Sequence, residues 1–167
     1  VVLEDQVAAL QLLGQQVPEV DLARVGITGW SFGGYASALA VLKRPDVFKA
    51  AVAGAPVTDQ RNYDTFYTER YLGLPEAPGD VYEKNSLLPL APGLERPLLL
   101  VHGTTDDNVY FLHSLLLSDR LFRAGRAHQF LPLSGYTHMV ADPVMQESLE
   151  RRTVEFFRAA LGVPEPR

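Results

Sequence analysis

Gly29-Trp30-Ser31-Phe32-Gly33-Gly34 follows the apolar run Arg24-Val25-Gly26-Ile27-Thr28 and precedes Tyr35-Ala36-Ser37-Ala38-Leu39-Ala40-Val41-Leu42. The first run reads as a buried strand and the last as a helix. A G-x-S-x-G stretch between them is a nucleophile elbow only because the turn is sharp, lifting the serine oxygen clear of the sheet. On this reading Gly29 and Gly33 lie where a side chain would collide with a neighbouring strand or helix. Ser31 is held in a strained backbone conformation, and the Phe32 N–H with the helix N-terminus faces the position of a developing oxyanion. The competing reading is a glycine-rich turn whose serine caps the helix.

Composition bounds the rest. A chain of 167 residues, 47% hydrophobic and 21% charged, forms one globular domain with a core of its own. A net charge of −5 disfavours a polyanion-binding surface, so nucleic acid is not expected as a partner. With no cysteine there is neither a disulfide framework nor a thiolate metal site. The histidines at 102, 113, 128 and 138 form no H-E-x-x-H pair, and no metal or other cofactor is expected. No apolar run reaches the roughly 20 residues of a membrane helix. Val1-Val2-Leu3-Glu4-Asp5 has neither a basic region nor an initiator methionine, which is expected of a piece of a longer protein; the compartment stays open.

Along the chain, Leu3, Val7, Leu10 and Leu13 share one face of a helix running to about Gln16. The helix after the elbow is expected to stop at Arg44-Pro45, because the residue before a proline leaves the helical region. Phe48 to Ala53 reads as a strand, Tyr63 to Leu72 as a helix, and the proline-rich stretch from Pro75 to Pro97 as surface loop with one short helix over Ser86 to Leu90. Pro97-Leu98-Leu99-Leu100-Val101-His102-Gly103 is a strand covered on both faces. A helix from about Phe111 to Ala124, a weaker strand Gln129 to Leu133 and a helix from about Val144 to Leu161 complete the pattern. Strands alternating with helices predict an α/β fold, a mostly parallel doubly wound sheet. Four strands are few, and the elbow strand lacks the strands that would precede it.

Chemistry in such folds sits in loops after strands. After the third strand comes Gly103-Thr104-Thr105-Asp106-Asp107-Asn108-Val109, and after the fourth Leu133-Ser134-Gly135-Tyr136-Thr137-His138-Met139. The order Ser31, an aspartate, His138 is that of α/β-hydrolases. The serine needs a base to take its proton, and the base needs a carboxylate to fix its tautomer and stabilise the imidazolium. Spacing alone leaves Asp106 and Asp107 both open, and either could instead make an Asx-turn.

Gly29-Trp30-Ser31-Phe32-Gly33-Gly34-Tyr35, Tyr67-Thr68-Glu69-Arg70-Tyr71-Leu72-Gly73-Leu74-Pro75 and His102-Gly103-Thr104-Thr105-Asp106-Asp107-Asn108-Val109 together resemble the C-terminal catalytic region of the dipeptidyl peptidase IV-like members of the prolyl oligopeptidase family of serine peptidases. The likeness runs over nearly the whole chain, making residues 1–167 the C-terminal part of an α/β-hydrolase domain. It implies that Ser31 is the nucleophile, Asp106 the residue orienting the histidine, and His138 the base. It further implies that Asn108 holds a substrate carbonyl, and that Phe32, Val57, Tyr63, Tyr67 and Val109 line a pocket for the residue before the scissile bond, suited to a proline ring. The implied substrate is a peptide that loses an N-terminal dipeptide.

Two positions depart from the family pattern: Gln60 stands where a tryptophan is usual, and Phe32 where a tyrosine is usual. An unpaired amide in a ring-accepting pocket is unfavourable by roughly 1–3 kcal/mol, so Gln60 is expected to find a partner at the rim or to narrow the preference for proline. The resemblance also implies partners outside this sequence: a β-propeller that grips the substrate amino group, and an upstream hydrolase segment that supplies an oxyanion tyrosine. Without them the segment alone is expected to be inactive. A homodimer is compatible with the pattern. Rival readings are an acylaminoacyl-peptidase-like enzyme or a carboxylesterase, and a non-catalytic hydrolase-fold assembly domain. Tyr63, Tyr67 and Tyr71, spaced by fours, also fit a helix packing face.

Overall fold

The computed structural model describes residues 2–76 and 79–164. In chain order come α1 (Val2–Gln16), β1 (Val25–Trp30), α2 (Phe32–Lys43), β2 (Phe48–Gly54), α3 (Thr65–Leu72), α4 (Val81–Lys84), β3 (Leu98–Gly103), α5 (Leu112–Arg123), β4 (Gln129–Leu133) and α6 (Pro143–Leu161). The strands form one sheet in the order β1-β2-β3-β4, and all three pairings are parallel. The architecture is α/β with a parallel sheet, as the alternation of elements predicts.

Alternation along the two central strands separates the faces. Ala51, Ala53, Leu98 and Leu100 pack with Val41 of α2 and with Leu117 and Leu121 of α5. Ala50, Val52, Leu99 and Val101 pack with Phe156 of α6, joined by Met145, Leu149, Phe157 and Ala160. Leu100 and Leu117 are fully buried, and each such side chain stabilises the fold by roughly 1.5–3 kcal/mol. Every strand thus delivers its C-terminal end to the same rim of the sheet, which is where the serine, aspartate and histidine loops emerge.

Several expectations need correction. The apolar face of α1 reaches the core at Leu3 and Val7, but Leu13 is exposed. α3 begins at Thr65, because Asp64 caps it by accepting the Tyr67 N–H at 3.0 Å, so Tyr63 precedes the helix. The proline-rich stretch is not all surface loop. A 3-10 turn spans Leu88–Gly93, shifted from the expected Ser86 to Leu90, and Leu87, Ala91 and Leu94 are buried in the α2 and α5 side of the core. Their i, i+4, i+7 spacing sinks one apolar side of the turn despite its prolines. The part of that stretch at 77–78 lies outside the described residues.

β1 is a sheet edge among the described residues, pairing with β2 alone. Beside it an apolar depression of about 480 Å³ runs over Trp30, Val52, Val101, Leu149 and Val154. An unpaired parallel edge flanked by apolar surface is a template for association. Residues 1–167 made alone are therefore expected to self-associate, with a light-scattering mass that rises with concentration. A dispersed monomer at high concentration would count against this.

Candidate active site

The elbow forms because the chain must pass from β1 to α2 through a single residue. Ser31 takes φ 60° and ψ −117°, a combination that costs a non-glycine residue of order 1–3 kcal/mol and persists only where surrounding bonds hold it. Those bonds are present. The Ser31 N–H donates to Gly54 O at 2.8 Å, and its carbonyl accepts the Tyr35 N–H at 3.0 Å as the first bond of α2. The Phe32, Gly33 and Gly34 N–H groups consequently have no acceptor within the helix. The Ser31 side chain makes no capping bond, which removes the reading of a mere helix cap. A Cβ on Gly29 would lie 2.6 Å from the Gly33 carbonyl carbon, so glycine is required there. Gly33 does not behave as expected: a Cβ on it would meet nothing within 4 Å. Gly34 is the closely packed glycine, facing the Gly54 backbone of β2.

Asp106 and His138 meet across the β3 and β4 loops. The His138 Nδ1–H donates to Asp106 Oδ2 at 2.8 Å. Asp106 Oδ1 accepts the Asn108 N–H at 3.0 Å and the Val109 N–H at 2.9 Å. The Asx-turn and the histidine partner are therefore one buried carboxylate using both oxygens, while Asp107 is exposed. The His138 loop is anchored to the elbow by its neighbour, since Trp30 Nε1–H donates to His138 O at 2.8 Å. No hydrogen bond joins Ser31 Oγ to His138 among the described residues, and such bonds tighten on substrate binding.

The expected pocket residues separate into two groups. Phe32 and Tyr67 line one cavity together with Tyr35, Gln60, Tyr71 and Asn85. Val57, Tyr63 and Val109 lie outside that lining, with Val57 and Val109 buried. The Tyr63 hydroxyl donates to Asn108 Oδ1 at 3.0 Å, which leaves the Asn108 amide N–H groups free for another acceptor. Tyr67 packs edge-on against Tyr63 and tilted against Tyr71, at centroid distances of 5.5 and 4.9 Å. Tyr67 and Tyr71 are exposed and Thr68 is the buried residue of α3, so the tyrosines are not a core packing face.

A model of the Peptidase_S9 group, described as the prolyl oligopeptidase family, matches residues 1–164. The chain belongs to the prolyl oligopeptidase family. Dipeptidyl peptidase 8 of Mus musculus is 40% identical over 163 residues, covering 96% of this chain and 18% of that protein. Dipeptidyl peptidase 4 of Sus scrofa is 34% identical over 165 residues, covering 97% of this chain and 21% of that protein. The crystal structure of Porphyromonas gingivalis dipeptidyl peptidase 4 superposes with a TM-score of 0.88 at 35% identity, covering 95% of this chain and 22% of that one. The chain thus spans about a fifth of the length of the relatives it matches.

Two histidines of this prolyl oligopeptidase family chain were legible as letters but not as parts of the site. His102, at the end of β3, is fully buried. Its Nε2–H donates to Val109 O at 2.7 Å and lies 3.2 Å from Asp106 Oδ2, while its Nδ1 accepts the Ser114 hydroxyl at 2.7 Å. It therefore braces the Asp106 loop from beneath. His113, on α5, accepts the Thr58 N–H on Nδ1 at 3.1 Å and donates from Nε2 to Asn62 O at 3.2 Å, tying down the loop that carries Gln60 and Tyr63. Position inside a strand and a helix, rather than in a loop after a strand, hid both.

Burial holds the imidazoles of His102 and His113 below the usual histidine range, despite hydrogen bonds to Val109 O and Asn62 O that favour the charged form. In the unfolded chain both take up a proton below about pH 6.5. The unfolded state then binds more protons than the folded one, so stability is complete above about pH 6.5 and falls as pH drops below it. The unfolding midpoint of the intact protein is expected to decline between pH 7 and pH 5. A flat midpoint across that range contradicts neutral burial of these two groups.

Proposed function

We propose that this chain is the C-terminal part of the catalytic hydrolase domain of a serine peptidase that releases N-terminal dipeptides, Xaa-Pro and Xaa-Ala among them. The observation that carries the reading is the pairing of His138 Nδ1–H with the buried Asp106 carboxylate on the same rim as a serine at positive φ, the two loops joined through Trp30.

In this mechanism Ser31 Oγ attacks the scissile carbonyl while His138 Nε2 takes the hydroxyl proton. Asp106 keeps the imidazole in the Nδ1–H tautomer and stabilises the imidazolium. The proton passes to the leaving amine, the C–N bond breaks, and water, activated by the same histidine, hydrolyses the acyl-serine to free the dipeptide and restore Ser31. The Phe32 N–H is one oxyanion donor, and the second comes from a tyrosine of the upstream hydrolase segment. Losing one such donor costs about 10²–10³ in rate. The Asn108 amide holds a substrate carbonyl, and Phe32 and Tyr67, which line one cavity, flank the residue before the scissile bond.

The partners are the peptide, the upstream hydrolase segment and a propeller that grips the amino terminus; the length of the relatives leaves room for both segments. Residues 1–167 alone are inactive for want of them.

The experiment is a substrate panel on the intact protein: Gly-Pro- and Gly-Ala-p-nitroanilide against N-acetyl-Ala-p-nitroanilide and p-nitrophenyl butyrate. The free-amine dipeptide anilides are expected to be cleaved with the higher kcat/KM. Preference for the acetylated substrate or the ester would support an acylaminoacyl-peptidase-like enzyme or a carboxylesterase instead. Inertness toward all four would support an assembly domain.

A further inference from the structure

The cavity beside the elbow has a volume of about 370 Å³ and aromatic walls from Phe32, Tyr35, Tyr67 and Tyr71. Phe32 is the residue next to Ser31, so one wall of this cavity stands at the reacting end of the site. Two amides belong to its lining, Gln60 and Asn85, and no charged side chain does. The Asn85 amide is already engaged, its Nδ2–H donating to Val81 O at 2.8 Å.

Gln60 is different. It is 8% exposed, yet its side-chain amide has no hydrogen-bond partner among the described residues. No fully enclosed side-chain nitrogen or oxygen in the described structure lacks a partner. The Gln60 amide is therefore not sealed in protein; it borders the cavity, with donor and acceptor capacity unspent. A polar group held in that position is unfavourable when the occupant is apolar and favourable when the occupant completes its bonds.

We infer that, within the dipeptide-releasing reaction proposed above, this cavity takes the side chain of the residue before the scissile bond when that side chain is uncharged, has an apolar stem and ends in a hydrogen-bonding group, and that Gln60 selects it. Glutamine is the residue that fits best. Its methylenes lie along the aromatic walls, and its amide pairs with that of Gln60. A glutamate is refused, because its charge would enter a cavity that holds no countercharge. A methionine of similar length fills the space but leaves the Gln60 amide unpaired, the kind of mismatch that polar sites discriminate against.

The test measures kcat/KM of the intact protein for Gly-Gln-, Gly-Met-, Gly-Glu- and Gly-Pro-7-amido-4-methylcoumarin. Gln is expected to exceed Met by about tenfold, one to one and a half hydrogen bonds' worth, and to exceed Glu by more. In Gln60→Leu the Gln-to-Met ratio falls to one or below. Gln60→Met serves as the second variant if the leucine variant does not fold by circular dichroism. A wild-type ratio at or below one overturns the inference without any variant, as does an unchanged ratio in Gln60→Leu. Cleavage of Gly-Pro with such a ratio leaves the dipeptidase reading standing; no dipeptide release from any of the four, by protein whose serine still reacts with a fluorophosphonate, overturns both.

Discussion

Ser31→Ala in the intact protein is expected to lower peptide turnover on the order of 10⁴-fold or more, and His138→Ala to do the same, because in the proposed mechanism nucleophile and base act as one unit. The double variant is expected to be little worse than either single one. Peptide affinity survives, since neither side chain is needed to hold the substrate. The backbone supplies a second reason to expect a clean result. Ser31 sits at φ 60°, a conformation that alanine tolerates no better than serine, so the strain is common to both proteins and stability changes little. Turnover within tenfold of wild type by a Ser31→Ala protein free of wild-type contamination removes Ser31 from the chemistry.

Asp106→Asn is expected to lower turnover by about 10⁴-fold, the loss that the proposed mechanism gives when the histidine is held in the wrong tautomer, and Asp107→Asn to change it less than tenfold. The substitution falls on the oxygen that faces His138 and that also lies 3.2 Å from His102 Nε2. Asp106 Oδ1 accepts the Asn108 and Val109 N–H groups, and an asparagine carbonyl can keep both. Only the oxygen facing His138 Nδ1 at 2.8 Å is replaced by a donor. Asp107 is exposed and has no hydrogen bond to His138 among the described residues. Steady-state kcat and KM for the two variants check the assignment, and a larger loss in Asp107→Asn reverses it.

What could be read from the letters followed physical regularity. The elbow was legible because a strand, a glycine-flanked serine and a helix force one local geometry, and the positive φ of Ser31 follows from it. The leucine run of β3 and the Met145, Leu149, Phe156 and Phe157 spacing of α6 likewise fixed their burial. What was not legible depends on tertiary neighbours. Whether Gly33 or Gly34 faces β2 is a matter of the turn's exact rotation, which the motif leaves free. Leu87, Ala91 and Leu94 lay hidden among prolines that read as loop, although the Leu87 N–H is bound to Thr58 O at 2.8 Å and draws the turn inward.

At the site, sequence order brought out Ser31 and His138 and narrowed the carboxylate to a pair; within it the family resemblance pointed to Asp106, the residue that lies 2.8 Å from His138 Nδ1. His102 and Trp30 carry no local signal of their role. His102 acts through a loop seven residues on, and Trp30 through a carbonyl 108 residues away. The split of the expected pocket arises in the same way. Val57 and Val109 are buried under the rim, while Gln60, marked in the sequence only as a departure, lines the cavity.

The most direct test of the account is to treat the intact protein with a fluorophosphonate probe and map the modified residue by mass spectrometry. A single adduct on Ser31 is expected, absent from Ser31→Ala and formed far more slowly in Asp106→Asn and His138→Ala. An active protein that carries the adduct on another serine, or that remains unlabelled while cleaving peptides, would contradict it.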